Sequence, residues 1–202
     1  MNKALLYIPG KGGSSQEVEQ YKPFFMNYFC CGVDFDYSMP EKAKDIILNA
    51  FNDLSERYEK ISVLANSIGA YFSMMALQKS PVEKAFFISP ILDMEKLIID
   101  MMTYEGITEK ELFEKGEINT NYGEKISCEY LRYVRNNHIK WNADTYILYG
   151  EKDNLTSQET VDDFMKKHNA KLTIMKDGEH WFHTPEQMEF LYNWLQNVIE
   201  GI

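Results

Sequence analysis

Three residues carry groups suited to hydrolytic chemistry, and each follows a short apolar run. Ser67 sits in Ala65-Asn66-Ser67-Ile68-Gly69, directly after Ile61 to Leu64. The run before it reads as a buried strand, while Ala70, Tyr71, Met74, Met75 and Leu77 beyond it keep helical spacing. Ser67 therefore falls at a strand-to-helix corner, where residues two positions either side must be small, as Ala65 and Gly69 are. Asp153 lies in Gly150-Glu151-Lys152-Asp153, after the apolar run ending at Tyr149, and His180 in Asp177-Gly178-Glu179-His180, after Leu172 to Met175. A serine hydroxyl is a poor nucleophile until a neighbouring imidazole accepts its proton, and a carboxylate can hold that imidazole in the useful tautomer. Brought together, the three would support acyl transfer. Taken alone, Ser67 has a plainer reading as a helix-capping serine.

Those side chains need a scaffold that carries them to one place. With 202 residues, 45% of them hydrophobic and 14% aromatic, the chain is long and apolar enough to form one ordered domain. Strands are expected at Ala4–Ile8, Cys31–Asp36, Ile61–Ala65, Glu83–Ser89, Asp144–Tyr149 and Leu172–Met175. Between them, helical spacing runs from Pro40 to about Tyr58, from Ile68 to Lys79, from Thr156 to His168, and onward from Pro185. Strands alternating with helices predict an α/β protein, a three-layer α/β/α sandwich on about six mostly parallel strands with right-handed crossovers. Residues 92–141 break the rhythm, with helical fragments at 94–103, 108–115 and 127–138. About 50 such residues seldom make an independent core, so they read as an insertion within a single domain spanning 1–202. In an open parallel sheet, functional residues gather beyond the carboxyl ends of the strands. Ser67, Asp153 and His180 all hold such positions.

The A-x-S-x-G corner at Ser67, with Ser, Asp and His following in that order, resembles the nucleophile elbow and triad order of the α/β-hydrolases. The resemblance runs from the glycine-rich loop after the first strand to the closing helix, and departs from the usual elbow by a methyl group at Ala65. It implies Ser67 as nucleophile, His180 as general base and Asp153 as the acid that orients it. The family's oxyanion donors come from the residue after the nucleophile, here the Ile68 N–H, and from the loop after the first strand. There Pro9-Gly10-Lys11-Gly12-Gly13 matches the family's His-Gly-x-Gly-Gly, which implies the Lys11 N–H as second donor. Pro9 replaces the histidine that supports this loop elsewhere. The insertion falls where the family carries its cap, so Met101, Tyr104 and Trp141, together with Asn66, are expected to line a substrate pocket. Asp93, after the fourth strand, is the position from which some members supply the triad acid instead.

The implied activity is a serine hydrolase without cofactor or metal, a carboxylesterase on small or medium acyl groups of a small-molecule ester or thioester. A peptidase, an acyltransferase or a non-catalytic binding member would share the same scaffold. The glycines at 10, 12 and 13 fit neither G-x-G-x-x-G nor the P-loop spacing. A net charge of −10 argues against nucleic acid or an anionic membrane as partner. No apolar run approaches a bilayer span, and Ala4 to Ile8 is too short for a signal-peptide core. Cys30, Cys31 and Cys128, odd in number and two of them adjacent, do not suggest a disulfide framework, so a cytoplasmic location is expected. Ser14 and Ser15 read as turn formers, Glu151 as solvent-facing, His138 and His168 as surface residues. His183 lacks the carboxylate or thiol neighbours that a metal site would need.

Overall fold

Six apolar segments account for the central sheet. The computed structural model describes residues 2–201. In chain order it runs β1 (Lys3–Ile8), α1 (Val18–Tyr21), β2 (Phe29–Gly32), α2 (Pro40–Ser55), β3 (Lys60–Asn66), α3 (Ile68–Leu77) and β4 (Val82–Ile88). The insertion follows as α4 (Met94–Glu105), α5 (Glu109–Lys115), β5 (Glu117–Asn119), β6 (Lys125–Ser127) and α6 (Cys128–Asn136). The chain ends through β7 (Thr145–Gly150), α7 (Gln158–Lys167), β8 (Ala170–Met175) and α8 (Pro185–Glu200). The sheet order is β2-β1-β3-β4-β7-β8, with every neighbouring pair parallel.

The chain divides into two compact units, one built from the residues up to Leu92 and from Lys140 onward, the other from Asp93–Ile139. In the first, alternation along each strand gives the sheet two apolar faces. Leu5, Tyr7, Leu64, Phe86, Ile88 and Leu148 pack with Val18, Tyr21 and Phe25 and with Leu191, Trp194 and Leu195 of α8. The opposite face, with Leu6, Ile8, Val63 and Phe87 all buried, carries α2 and α3. α3 is buried nearly all round, as its apolar sequence requires. β1, β3 and β4 lie inside the sheet, and their buried stretches, Ala4 to Ile8, Ile61 to Ala65 and Ala85 to Ile88, are almost wholly apolar.

β2 lies earlier than expected. Its pairing to β1 ends at Tyr7 opposite Gly32. The Asp34 carboxylate then accepts both the N–H and the hydroxyl of Ser15, each at 2.6 Å, and draws the chain out of the sheet. The second unit also differs from a purely helical insertion. β5 and β6 form an antiparallel hairpin, and strands of three residues carry too little alternation to be read from sequence. Met94, Ile98, Met102, Leu112, Ile126, Cys128, Leu131 and Val134 are its buried apolar residues. Arg135 ties its helices together, with Nε 2.6 Å from Glu95 and both terminal nitrogens on Glu109 at 2.9 and 2.7 Å.

Candidate functional site

One residue makes the corner between β3 and α3. Ser67 takes φ 51° and ψ −120°, a conformation that costs an L-residue roughly 1–3 kcal/mol and that surrounding structure must impose. Its N–H donates to the Ile88 carbonyl at 2.9 Å, and its own carbonyl accepts from Ile91 and Ala70, each at 3.1 Å. Crowding at the corner is severe. A Cβ on Gly69 would lie 2.4 Å from the carbonyl oxygen of Ile8 and 2.6 Å from that of Pro9, so only glycine fits. The serine side chain gives α3 no cap. Its hydroxyl lies instead 2.8 Å from Nε2 of His180.

His180 and Asp153 arrive on the loops after β8 and β7, and main-chain bonds lock those loops together. Glu151 donates to Met175 at 3.0 Å and Lys152 to Gly178 at 2.7 Å; the Glu151 carboxylate accepts the Asp177 N–H at 2.9 Å. Nδ1 of His180 then lies 2.7 Å from Oδ2 of Asp153. The Asp153 side chain has no exposed surface and that of His180 is 13% exposed. A buried carboxylate must have its lone pairs satisfied. Oδ1 of Asp153 accepts the N–H groups of Leu155 at 2.8 Å and Thr156 at 2.9 Å, an Asx-type turn. Because an ionised carboxylate only accepts, the imidazole proton resides on Nδ1, leaving Nε2 free to take a proton from Ser67.

Thr156, just before α7, anchors the loop that carries Asp153. Its hydroxyl donates to the Pro90 carbonyl at 2.9 Å and its own carbonyl accepts from Tyr149 at 2.8 Å, both within buried surroundings. The acid loop is thereby tied to the end of β4. The cap of α7 is Ser157, whose hydroxyl accepts the Thr160 N–H at 3.3 Å. The only sequence sign of this is a threonine three residues after an aspartate.

The glycine-rich turn after β1 comes up against the corner. A Cβ on Gly10 would be 3.2 Å from Cβ of Ser67, and the turn closes through Gly13 N–H to Gly10 C=O at 3.1 Å. Lys11 lies on this turn, exposed, with Nζ 5.9 Å from the centre of the Tyr37 ring. Ile68 opens α3, where the first N–H groups have no acceptor within the helix.

Asp93 does not compete for the imidazole's partner position by default; its carboxylate accepts the Lys96 N–H at 2.9 Å as the N-cap of α4. Trp141 corrects one pocket expectation. It is 2% exposed, its indole N–H donates to Thr145 Oγ1 at 2.8 Å, and it packs on Phe87. Thr145 begins β7, at the amino end of the sheet, whereas Ser67 follows the carboxyl end of β3. Asn66 is half-buried and, on the same face of β3 as Leu64, lies beside Tyr7 of β1. Met101 and Tyr104 belong to the second unit, Met101 half-buried and Tyr104 82% exposed with its ring edge on Tyr122. His168 is half-buried, with Nδ1 2.8 Å from the Trp141 carbonyl oxygen, and His183 stacks on Trp181. Among the described residues, no three His, Cys, Asp or Glu side chains gather as metal ligands.

Known structures share this architecture over almost the full chain. Est1E from Butyrivibrio proteoclasticus aligns with a TM-score of 0.78 at 15% identity, covering 100% of this chain and 89% of its own. The same protein with ferulic acid bound aligns at 0.79, also at 15% identity, covering 98% and 88%. Alpha/beta hydrolase domain-containing protein 10 from mouse gives 0.75 at 14% identity, covering 98% and 90%. No family model matches the sequence, and neither does any curated protein. The chain has the α/β-hydrolase fold.

Proposed function

We propose that the protein is a serine hydrolase that cleaves a carboxylic ester or thioester through an acyl-enzyme. The observation that carries this reading is the 2.8 Å contact between Ser67 Oγ and His180 Nε2, with Asp153 on the far side of the ring. As Ser67 Oγ bonds to the substrate carbonyl carbon, its proton passes to His180 Nε2 and the imidazolium is stabilised by Asp153. The N–H groups of Ile68 and Lys11 would receive the developing oxyanion. Collapse breaks the bond to the alcohol or thiol, which leaves with the proton from His180. A water molecule then repeats the attack, giving its proton to His180, and the carboxylic acid departs as Ser67 recovers its hydrogen.

The finer assignment is a carboxylesterase on small or medium acyl groups. It is supported by the filled Ser, His and Asp positions and by the architecture shared with Est1E, which binds ferulic acid. A cytoplasmic enzyme without nucleic-acid or membrane partners accords with three free cysteines and the net charge of −10. No helix of the described residues is long and apolar enough to cross a membrane.

A fluorophosphonate probe tests the reading directly. The protein should label, Ser67→Ala should abolish labelling, and a series of p-nitrophenyl esters of rising acyl length should show a maximum at short or medium chains. Absence of both labelling and ester turnover would overturn it.

A further inference from the structure

The glycine-rich turn runs on to Ser15, which Asp34 holds, and a second group of polar side chains lies behind it. Pro9 has neither an N–H nor a polar side chain, and the Gly13-to-Gly10 bond closes the turn on itself without tying it to the sheet. Tyr7 in β1 donates its phenol proton to Oε2 of Glu17 at 2.5 Å. Tyr7 stands opposite Leu64 in the parallel register, and Leu64 and Asn66 share a face, which puts Asn66 beside the Tyr7 ring. At the other end, the Glu17 carboxylate lies directly against the turn. A Cβ on Gly13 would be 2.8 Å from Oε2 and 2.9 Å from Oε1.

Packing alone does not call for this arrangement. Tyr7 is fully buried among Leu5, Val18, Tyr21 and Leu64, where a phenylalanine ring would pack as well without a hydroxyl to satisfy. Burial, then Tyr21 and the Glu17 carboxylate, push the phenol far above its ordinary value, so it remains a donor at any assay pH. Tyr7 and Glu17 connect the strand end that carries Ser67 to the turn that carries Lys11.

We propose that Glu17, acting through Tyr7, is a positioning residue that fixes the glycine-rich turn, and with it the Lys11 N–H, against Ser67 during hydrolysis. This rests on reading Ser67 as the nucleophile. Misplacing a donor by a fraction of an ångström weakens the transition state more than the ground state, so the effect belongs in kcat.

The test measures kcat, KM and melting temperature with p-nitrophenyl butyrate for wild type, Tyr7→Phe, Glu17→Ala and Glu17→Gln. Tyr7→Phe and Glu17→Ala should each lower kcat by about 10- to 100-fold with KM changed by less than about twofold. Glu17→Gln, which keeps an acceptor for the phenol, should restore most of the rate. Should Tyr7→Phe not fold, Glu17→Ala and Glu17→Gln decide alone. Unchanged kcat in an active, folded Glu17→Ala, a loss carried by KM, or failure of Glu17→Gln to recover would overturn the inference and leave the hydrolase reading intact. A wild-type protein that neither turns over ester nor labels at Ser67 would overturn both.

Discussion

The imidazole of His180 is held 2.7 Å from an oxygen of Asp153 whose carboxylate has no exposed surface. Two backbone N–H groups, from Leu155 and Thr156, occupy the other oxygen, so the carboxylate cannot turn away from the ring without losing three hydrogen bonds. Asp153→Asn would leave the shape intact but offer Nδ1 an ambiguous partner and the wrong tautomer. We expect kcat to fall by about 10³- to 10⁴-fold with p-nitrophenyl esters. Asp93→Asn should change neither kcat nor melting temperature appreciably, because asparagine caps a helix as well as aspartate does. The opposite pattern in a side-by-side assay would reassign the acid.

Gly69 admits no side chain. Gly69→Ala must push its methyl against the Ile8 and Pro9 carbonyls at 2.4 and 2.6 Å, and neither strand end can retreat cheaply. We expect a loss of about 2 kcal/mol or more in stability, read by urea denaturation, together with loss of fluorophosphonate labelling. Wild-type stability and labelling in this variant would show the corner to be looser than described.

Thr156→Val separates stability from chemistry. The variant removes the hydroxyl that donates to the Pro90 carbonyl but keeps the backbone N–H on Asp153. An unsatisfied buried carbonyl costs about 1–3 kcal/mol, so the denaturation midpoint should fall. The rate of the remaining folded protein should change by less than about tenfold, since the Asp153 turn survives. A collapse of kcat without loss of stability would place the hydroxyl in the chemistry itself.

Alkaline pH should unfold the protein earlier than its surface charges alone would. Burial pushes the Cys30 thiol up to about 11, and raises the phenols of Tyr7 and Tyr21 well above their usual range. Above about pH 9 for the thiol and about pH 10 for the phenols, the unfolded chain has released protons that the native state retains. The unfolded state then binds fewer protons, so stability is full below these values and declines as pH rises. Melting temperatures from pH 8 to 11.5 should drop progressively, and Tyr7→Phe should flatten the decline above pH 10. A flat profile in the wild type would mean that these groups ionise freely in the native state.

The parallel sheet and its neighbours are legible in the sequence because apolar runs at strand length alternate with helical periods. Ser67, Asp153 and His180 stand out because each follows such a run. What escapes is direction. Tyr7 reads as one more apolar strand residue, and only coordinates reveal its hydroxyl on Glu17. Trp141 belongs by composition with the aromatic residues of the insertion, yet the indole N–H finds Thr145 and the ring turns into the core. The shift of β2 depends on Asp34 meeting Ser15, a contact between residues 19 apart that no local pattern encodes. The β5–β6 hairpin is too short to display a period.

The hydroxyl of Ser67 and the ring of His180 meet across 113 residues of chain. During synthesis, the first therefore emerges from the ribosome long before the second. On the proposed mechanism, an incomplete chain would be chemically silent, and a truncated product lacking the last strand and its loop would stay so. Reactivity toward a serine-directed reagent would consequently report that the whole domain has closed, which makes such labelling a gauge of folding yield as well as of catalysis.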